Sequence, residues 1–307
     1  MVVSGGLALI LADQAWLSQG HAGGIGSAMS AIMLKLQQML PGEPVKNNWT
    51  AVYLLMAMVN LVGLVTVLFA PEPRSNRPAR SVSLQESIVR PFLEFFQRAG
   101  AMEILIFIMV YKLSTLMATA LTTKFLMDLG YAKAMIGAVT KLQGLIATIL
   151  GTVTGGALMA RLGLKKSLWA FGIVQSLIGL TFCVLSRLAT PESEQVTIAM
   201  LGGMSLKTFY LMAIISLDNF MMGLGTAALT GFMMNFCSKQ FTATQYALLT
   251  SVMAVARVIL IAHAGNLVQV LGWDGFFLST IPLAIPGLLL LNRYSHWERF
   301  KIGRAHV

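Results

Sequence analysis

Eight apolar stretches follow one another along the chain, near residues 2–17, 50–70, 102–123, 134–159, 168–188, 208–234, 246–270 and 275–292. Short polar or proline-bearing segments separate them. A helix needs about 20 apolar residues at 1.5 Å rise to cross a bilayer, and seven of the stretches read as spans. The first is shorter, starts at residue 2 with no hydrophilic lead-in, and reads as the end of a helix already under way. In lipid a backbone must satisfy its own hydrogen bonds, so the pattern predicts an all-α polytopic membrane protein.

The segments between the spans set the organisation. Residues 71–101 open with prolines and charges (Pro71, Pro73, Arg74, Arg77, Pro78, Arg80) and read as a linker. Within it, Leu84, Ile88, Phe92, Phe95 and Phe96 predict an amphipathic interfacial helix over 83–97. Ile25, Met29, Ile32, Met33, Leu36 and Leu40 predict a second surface helix between the first two stretches. The six stretches after the linker, 102–292, are the plan of one half of a transporter built from repeats, and residues 1–70 close a preceding half. Residues 293–301 read as a tail.

Composition excludes a soluble chain. Mean hydropathy is +0.75, and charged residues make up 11%, against roughly 25% in soluble domains. The formal charge of +10 reflects topology, with no nucleic-acid partner implied. Twelve Lys and Arg fall in the loops and tail on one side and six on the other, so the Arg-rich side is the cytoplasm. The free thiols of Cys183 and Cys237 lack any metal or redox spacing, and the only histidines are His21, His263, His296 and His306. No HExxH pattern and no paired carboxylates occur, so no catalytic residue, metal or cofactor is expected.

Ionisable groups at membrane depth are costly unless paired or wetted, and each is a functional candidate. Lys112 and Asp218 both fall roughly 15 Å into their spans, where they would neutralise each other as a static ion pair or as a pair opened by substrate or proton. Lys141 and Arg257 share a level roughly 20 Å from the cytoplasmic face and argue for an anionic ligand, because Arg can grip a carboxylate with two hydrogen bonds. Lys141 can also snorkel, whereas Arg257 reads as too deep to do so. Tyr111, Gln143 and Asn219 add hydrogen-bonding capacity nearby; Gln175 reads as an interhelical bond, and Gly151 with Gly155 as a packing motif.

After the fourth stretch the chain runs Gly155-Gly156-Ala157-Leu158-Met159-Ala160-Arg161-Leu162-Gly163-Leu164-Lys165-Lys166. This resembles the cytoplasmic loop G-x-x-x-D-R-x-G-R-K of major facilitator transporters at Gly156, Arg161, Gly163 and Lys165, with Ala160 and Leu164 departing from it. Val3-Ser4-Gly5-Gly6-Leu7, Leu68-Phe69-Ala70-Pro71-Glu72-Pro73 and Val110-Tyr111-Lys112-Leu113 resemble the AmpG muropeptide permeases. So do Lys141-Leu142-Gln143-Gly144 and Asp218-Asn219, where the family pattern has Glu before Asn. The most distinctive piece runs from Ser238 to Thr250.

The resemblance implies helices five to twelve of a major facilitator fold, with Met1 internal to a longer gene. It implies a monomer in the bacterial inner membrane, importing GlcNAc–anhydro-MurNAc peptides with protons for cell-wall recycling. A related carrier of another anionic metabolite, resembling the acetyl-CoA transporters, and an inactive fragment are the alternatives. Residues 302–307 resemble a translated sequencing adapter.

Overall fold

A computed structural model describes residue 35 and residues 44–69, 89–98, 100–198, 203–238 and 241–302. The first apolar stretch, the surface helix over 25–40 apart from Lys35, the linker up to 88 and the terminal residues from 303 lie outside that set. The chain forms two compact units, one of residues 1–80 and 126–145, the other of 81–125 and 146–307.

The described part of the first unit contains α1 (Pro44–Phe69), a 26-residue helix. It also holds a turn in which Tyr131 N–H donates to Leu126 O at 3.1 Å, with Gly130 at φ +84°. That left-handed residue ends the preceding helix as a C-terminal glycine does.

The second unit begins with α2 (Arg90–Phe96), the described part of the predicted amphipathic helix. A first span follows as three pieces: α3 (Ala101–Tyr111), α4 (Leu113–Ala120) and α5 (Thr122–Asp128). Its breaks fall at Lys112 (φ −99°, ψ 1°) and Leu121 (φ −115°, ψ 15°). The second span starts in the first unit, with α6 (Lys133–Gly137) and a π-helical stretch (Ala138–Gln143), and runs on through α7 (Gly144–Leu162). Then come α8 (Leu164–Ser176), α9 (Ile178–Leu188), the short α10 (Pro191–Gln195) and an antiparallel pair, β1 (Thr197–Ile198) with β2 (Met204–Ser205). The long helices α11 (Leu206–Phe236) and α12 (Thr242–Thr280) follow.

Among the described residues five helical spans are long and apolar enough to cross a membrane: Ala101–Asp128, Lys133–Leu162, Leu164–Leu188, Leu206–Phe236 and Thr242–Thr280. Gly272 (φ 68°, ψ −179°) interrupts the last of these and separates the seventh apolar stretch from the eighth. The eighth is bent where the sequence places its prolines: a 3-10 turn spans Pro282–Ala284 before α13 (Ile285–Leu290), since proline supplies no N–H to the ladder.

The core of the second unit is layered. Phe107, Phe232, Phe236 and Trp297 stack at the Arg-rich end, with Phe107 and Phe232 centroids 4.8 Å apart. Phe125, Phe182 and Phe277 pack at the other end, with Phe125 and Phe277 also 4.8 Å apart. A buried polar layer lies between, holding Lys112, Ser114, Thr115, Gln175 and Asp218.

The tail is part of this core. In α14 (Tyr294–Ile302), Trp297 is 1% exposed and its Nε1 donates to Glu103 Oε2 at 2.8 Å. Lys165 Nζ donates to Ser295 Oγ at 2.9 Å. Burial, then neighbouring Glu298, raises the Tyr294 hydroxyl above the ordinary phenol range, so it remains a hydrogen-bond donor. The distinctive stretch after α11 has a similar physical account. Gln245, 1% exposed, accepts from Ser238 N–H at 2.7 Å and donates to Pro91 O at 3.1 Å, and Arg98 donates to Phe236 O. Gln245 and Arg98 thereby fasten α2 to the α11–α12 junction.

Candidate functional site

The polar layer is built from three helices. Lys112 enters from the break between α3 and α4, Gln175 from α8 and Asp218 from α11, while Thr226 of α11 is exposed at the edge of the layer. Lys112 is 6% exposed and its Nζ donates to Thr226 Oγ1 at 2.8 Å. Asp218 is 3% exposed and lies within electrostatic reach of Lys112, but no N–O distance within 4.0 Å joins the two. Thr115 Oγ1 donates to Gln175 Oε1 at 3.2 Å. Among the described residues, Ser114 Oγ, Gln175 Nε2 and Asp218 Oδ1 are buried without a hydrogen-bond partner. Such orphans are rare and costly in native interiors, and they cluster where polar groups change partners or titrate.

Gln175 is the member that sequence reasoning undervalued. An added Cβ at Gly225 would overlap its amide, so the glycine gives the Gln175 side chain its place against α11. Gly225→Ala is therefore expected to displace Gln175, break its bond with Thr115 and lower stability by about 1–3 kcal/mol through overpacking. Thermal unfolding of the purified protein in detergent checks this; an unchanged melting temperature refutes the packing account.

The other sequence-derived residues are placed as follows. Tyr111, 5% exposed, donates from its hydroxyl to Leu168 O at 2.9 Å and packs on Phe107 at 5.2 Å, which ties α3 to α8. Asn219 is half-buried; its Nδ2 donates to Ile215 O at 2.8 Å and its Oδ1 accepts from Thr148 Oγ1 at 3.2 Å. Lys141 and Gln143 belong to the first unit and both fall in the π-helical stretch, a distortion common at functional sites. Arg257 corrects the expectation of a buried cation: its side chain stands on the exposed face of α12. Apolar residues surround α12's exposed face as well as its packed one, so depth along the span says nothing about burial there.

In the loop motif, Gly163 adopts φ +80° between α7 and α8, a conformation that favours glycine. Arg161 lies in the last turn of α7, where a cation complements the helix dipole. Lys165 reaches the tail, and Gly156 lies inside α7 with open space beside it. Added Cβ atoms at Gly151 and Gly155 would meet the α11 backbone at Phe220 and Leu224, so the small-residue pair does serve packing.

Five spans long and apolar enough to cross a membrane, with charged side chains buried between apolar layers, define a multi-pass membrane protein. No protein-family model matches the sequence. The anhydromuropeptide permease of Escherichia coli K12 is 35% identical over 292 residues, 95% of this chain and 50% of the permease. A protein of Rickettsia conorii named AmpG 4 is 35% identical over 249 residues, 80% of this chain and 56% of its own length. The chain belongs to the AmpG permease family of major facilitator transporters. It spans about half the length of the curated relatives it matches.

Proposed function

We propose that the chain forms part of a transporter that carries anhydro-muropeptides inward across the bacterial inner membrane, driven by proton entry. The observation that supports this most is its 35% identity to the E. coli anhydromuropeptide permease over 95% of the chain. In this reading residues 102–292 form one six-helix half, 1–70 belong to the other, and 71–101 link them. The substrate's peptide carboxylates meet cationic side chains, Arg257 and Lys141, with Gln143, Asn219 and Tyr111 shaping the polar surroundings. An exposed Arg257 on α12 suits that role, since a guanidinium open to a cavity can take a carboxylate in two parallel hydrogen bonds. Lys112 and Asp218 carry the proton coupling.

The test is uptake of labelled anhydro-muropeptide by a permease-deficient Gram-negative strain expressing the gene that encodes this chain. Uptake above an empty-vector control, abolished by a protonophore, is the expected result; no uptake by protein shown to be in the membrane overturns it. Arg257→Lys keeps the charge and loses the planar fork, so it is expected to raise the apparent KM severalfold with little change in protein level. Arg257→Ala with wild-type kinetics at equal protein level would remove Arg257 from the substrate path.

A further inference from the structure

The unpartnered oxygen of Asp218 and the hydrogen bond made by Lys112 belong together. Thr226 has one hydroxyl proton and donates it to Met222 O at 2.7 Å. Its lone pairs are then free to accept from Lys112 Nζ at 2.8 Å. Lys112 thus rests on an acceptor with no negative charge, while the carboxyl of Asp218 keeps a buried oxygen without a partner. Asp218 lies eight residues before Thr226 on α11, about 12 Å along the helix axis. Lys112 sits where α3 ends and α4 begins, at φ −99° and ψ 1°, outside the helical range, while its carbonyl accepts from Leu116 N–H at 2.9 Å. A four-carbon side chain on such a break can turn toward either residue.

Among the described residues no other charged group is buried in the layer. On the first span the neighbouring hydroxyl of Tyr111 is bonded to Leu168 O. The α8 helix contributes the neutral Gln175, and Arg257 of α12 is exposed.

We infer that Thr226 is a second, uncharged seat for the Lys112 ammonium, which moves between Thr226 and Asp218 as Asp218 gains and loses a proton. The inference rests on the transport reading above. With a proton on Asp218 the carboxyl is neutral, no longer attracts the ammonium, and Lys112 occupies Thr226. When water reaches the buried Asp218, the carboxyl O–H bond breaks, the proton leaves on water, and the carboxylate draws Lys112 back from the exposed Thr226. Lys112 keeps all three of its protons throughout, so one proton moves per cycle. Gln175 is a positioning residue: by accepting from Thr115, one turn along from Lys112, it holds α4 still while the ammonium changes partner.

The experiment is infrared spectroscopy of the purified protein in lipid, with the protonated-carboxyl signal of Asp218 assigned by its loss in Asp218→Asn. Thr226→Val removes the second seat at nearly constant volume. Lys112 then stays with Asp218 and favours the carboxylate, so the signal at a fixed pH is expected to fall to about half or less. Thr226→Ser keeps the hydroxyl and is expected to keep the signal. An unchanged signal in Thr226→Val, or an equal loss in Thr226→Ser, overturns the inference. Thr226→Ala gives the same reading with a smaller side chain if the valine variant fails to fold. The signal is read without substrate, so a wild type that carries no muropeptide refutes the transport reading and still leaves the seat to be judged.

Discussion

Lys112→Ala is expected to lower the proposed anhydro-muropeptide uptake about tenfold or more at matched protein level, because it leaves Asp218 buried with no cation to answer it. Removing one member of a buried charged pair typically costs more than removing both. Asp218→Asn is expected to be the milder single change for stability, since Lys112 retains its bond to Thr226. The double variant is then expected to lose less than the two singles combined, with an interaction of about 1 kcal/mol or more. Initial uptake rates and melting temperatures of the four proteins close the cycle. Strict additivity in both readouts would show that the two groups, although within electrostatic reach, act independently.

Trp297→Ala is the change expected to damage the fold most. The ring is 1% exposed, lies 5.5 Å from Phe107 and 5.9 Å from Phe232, and donates to Glu103. Loss of a buried aromatic of that size costs about 3–5 kcal/mol. Trp297→Phe keeps most of the packing and gives up the Nε1–H bond, so it is expected to lose much less, of the order of 1 kcal/mol for the bond. Arg293 lies 3.4 Å from the same carboxylate and partly compensates. Thermal unfolding in detergent ranks the three proteins; an alanine variant as stable as wild type would mean that α14 is an appendage to the core.

The membrane-crossing spans were legible in the residues themselves. So was Gly151 with Gly155 as a close approach, because it depends on local chemistry. The residues that build the polar layer were also visible one by one, as polar interruptions of apolar runs. Their pairing was not. Lys112 and Asp218 were matched by depth alone, and depth does not separate Asp218 from Thr226 as the group the ammonium touches. Gln175 was readable as an interhelical bond, but its dependence on Gly225, fifty residues away, was not.

By itself the sequence determined the all-helical, membrane-crossing character of this protein, since lipid demands self-satisfied backbone wherever a run of about 20 residues is apolar. It also placed each charge along its predicted span, because rise per residue converts position into distance. Only the tertiary structure decided direction. A helix apolar all round carries no stripe to say which face packs, so the exposure of Arg257, the seat of Lys112 on Thr226 and the burial of Trp297 follow from how neighbouring helices are rotated against one another. The tail shows the same physics at its plainest: a helix too polar to read as a span buries Tyr294 and Trp297 in the core, where the indole finds a carboxylate and two phenyl rings.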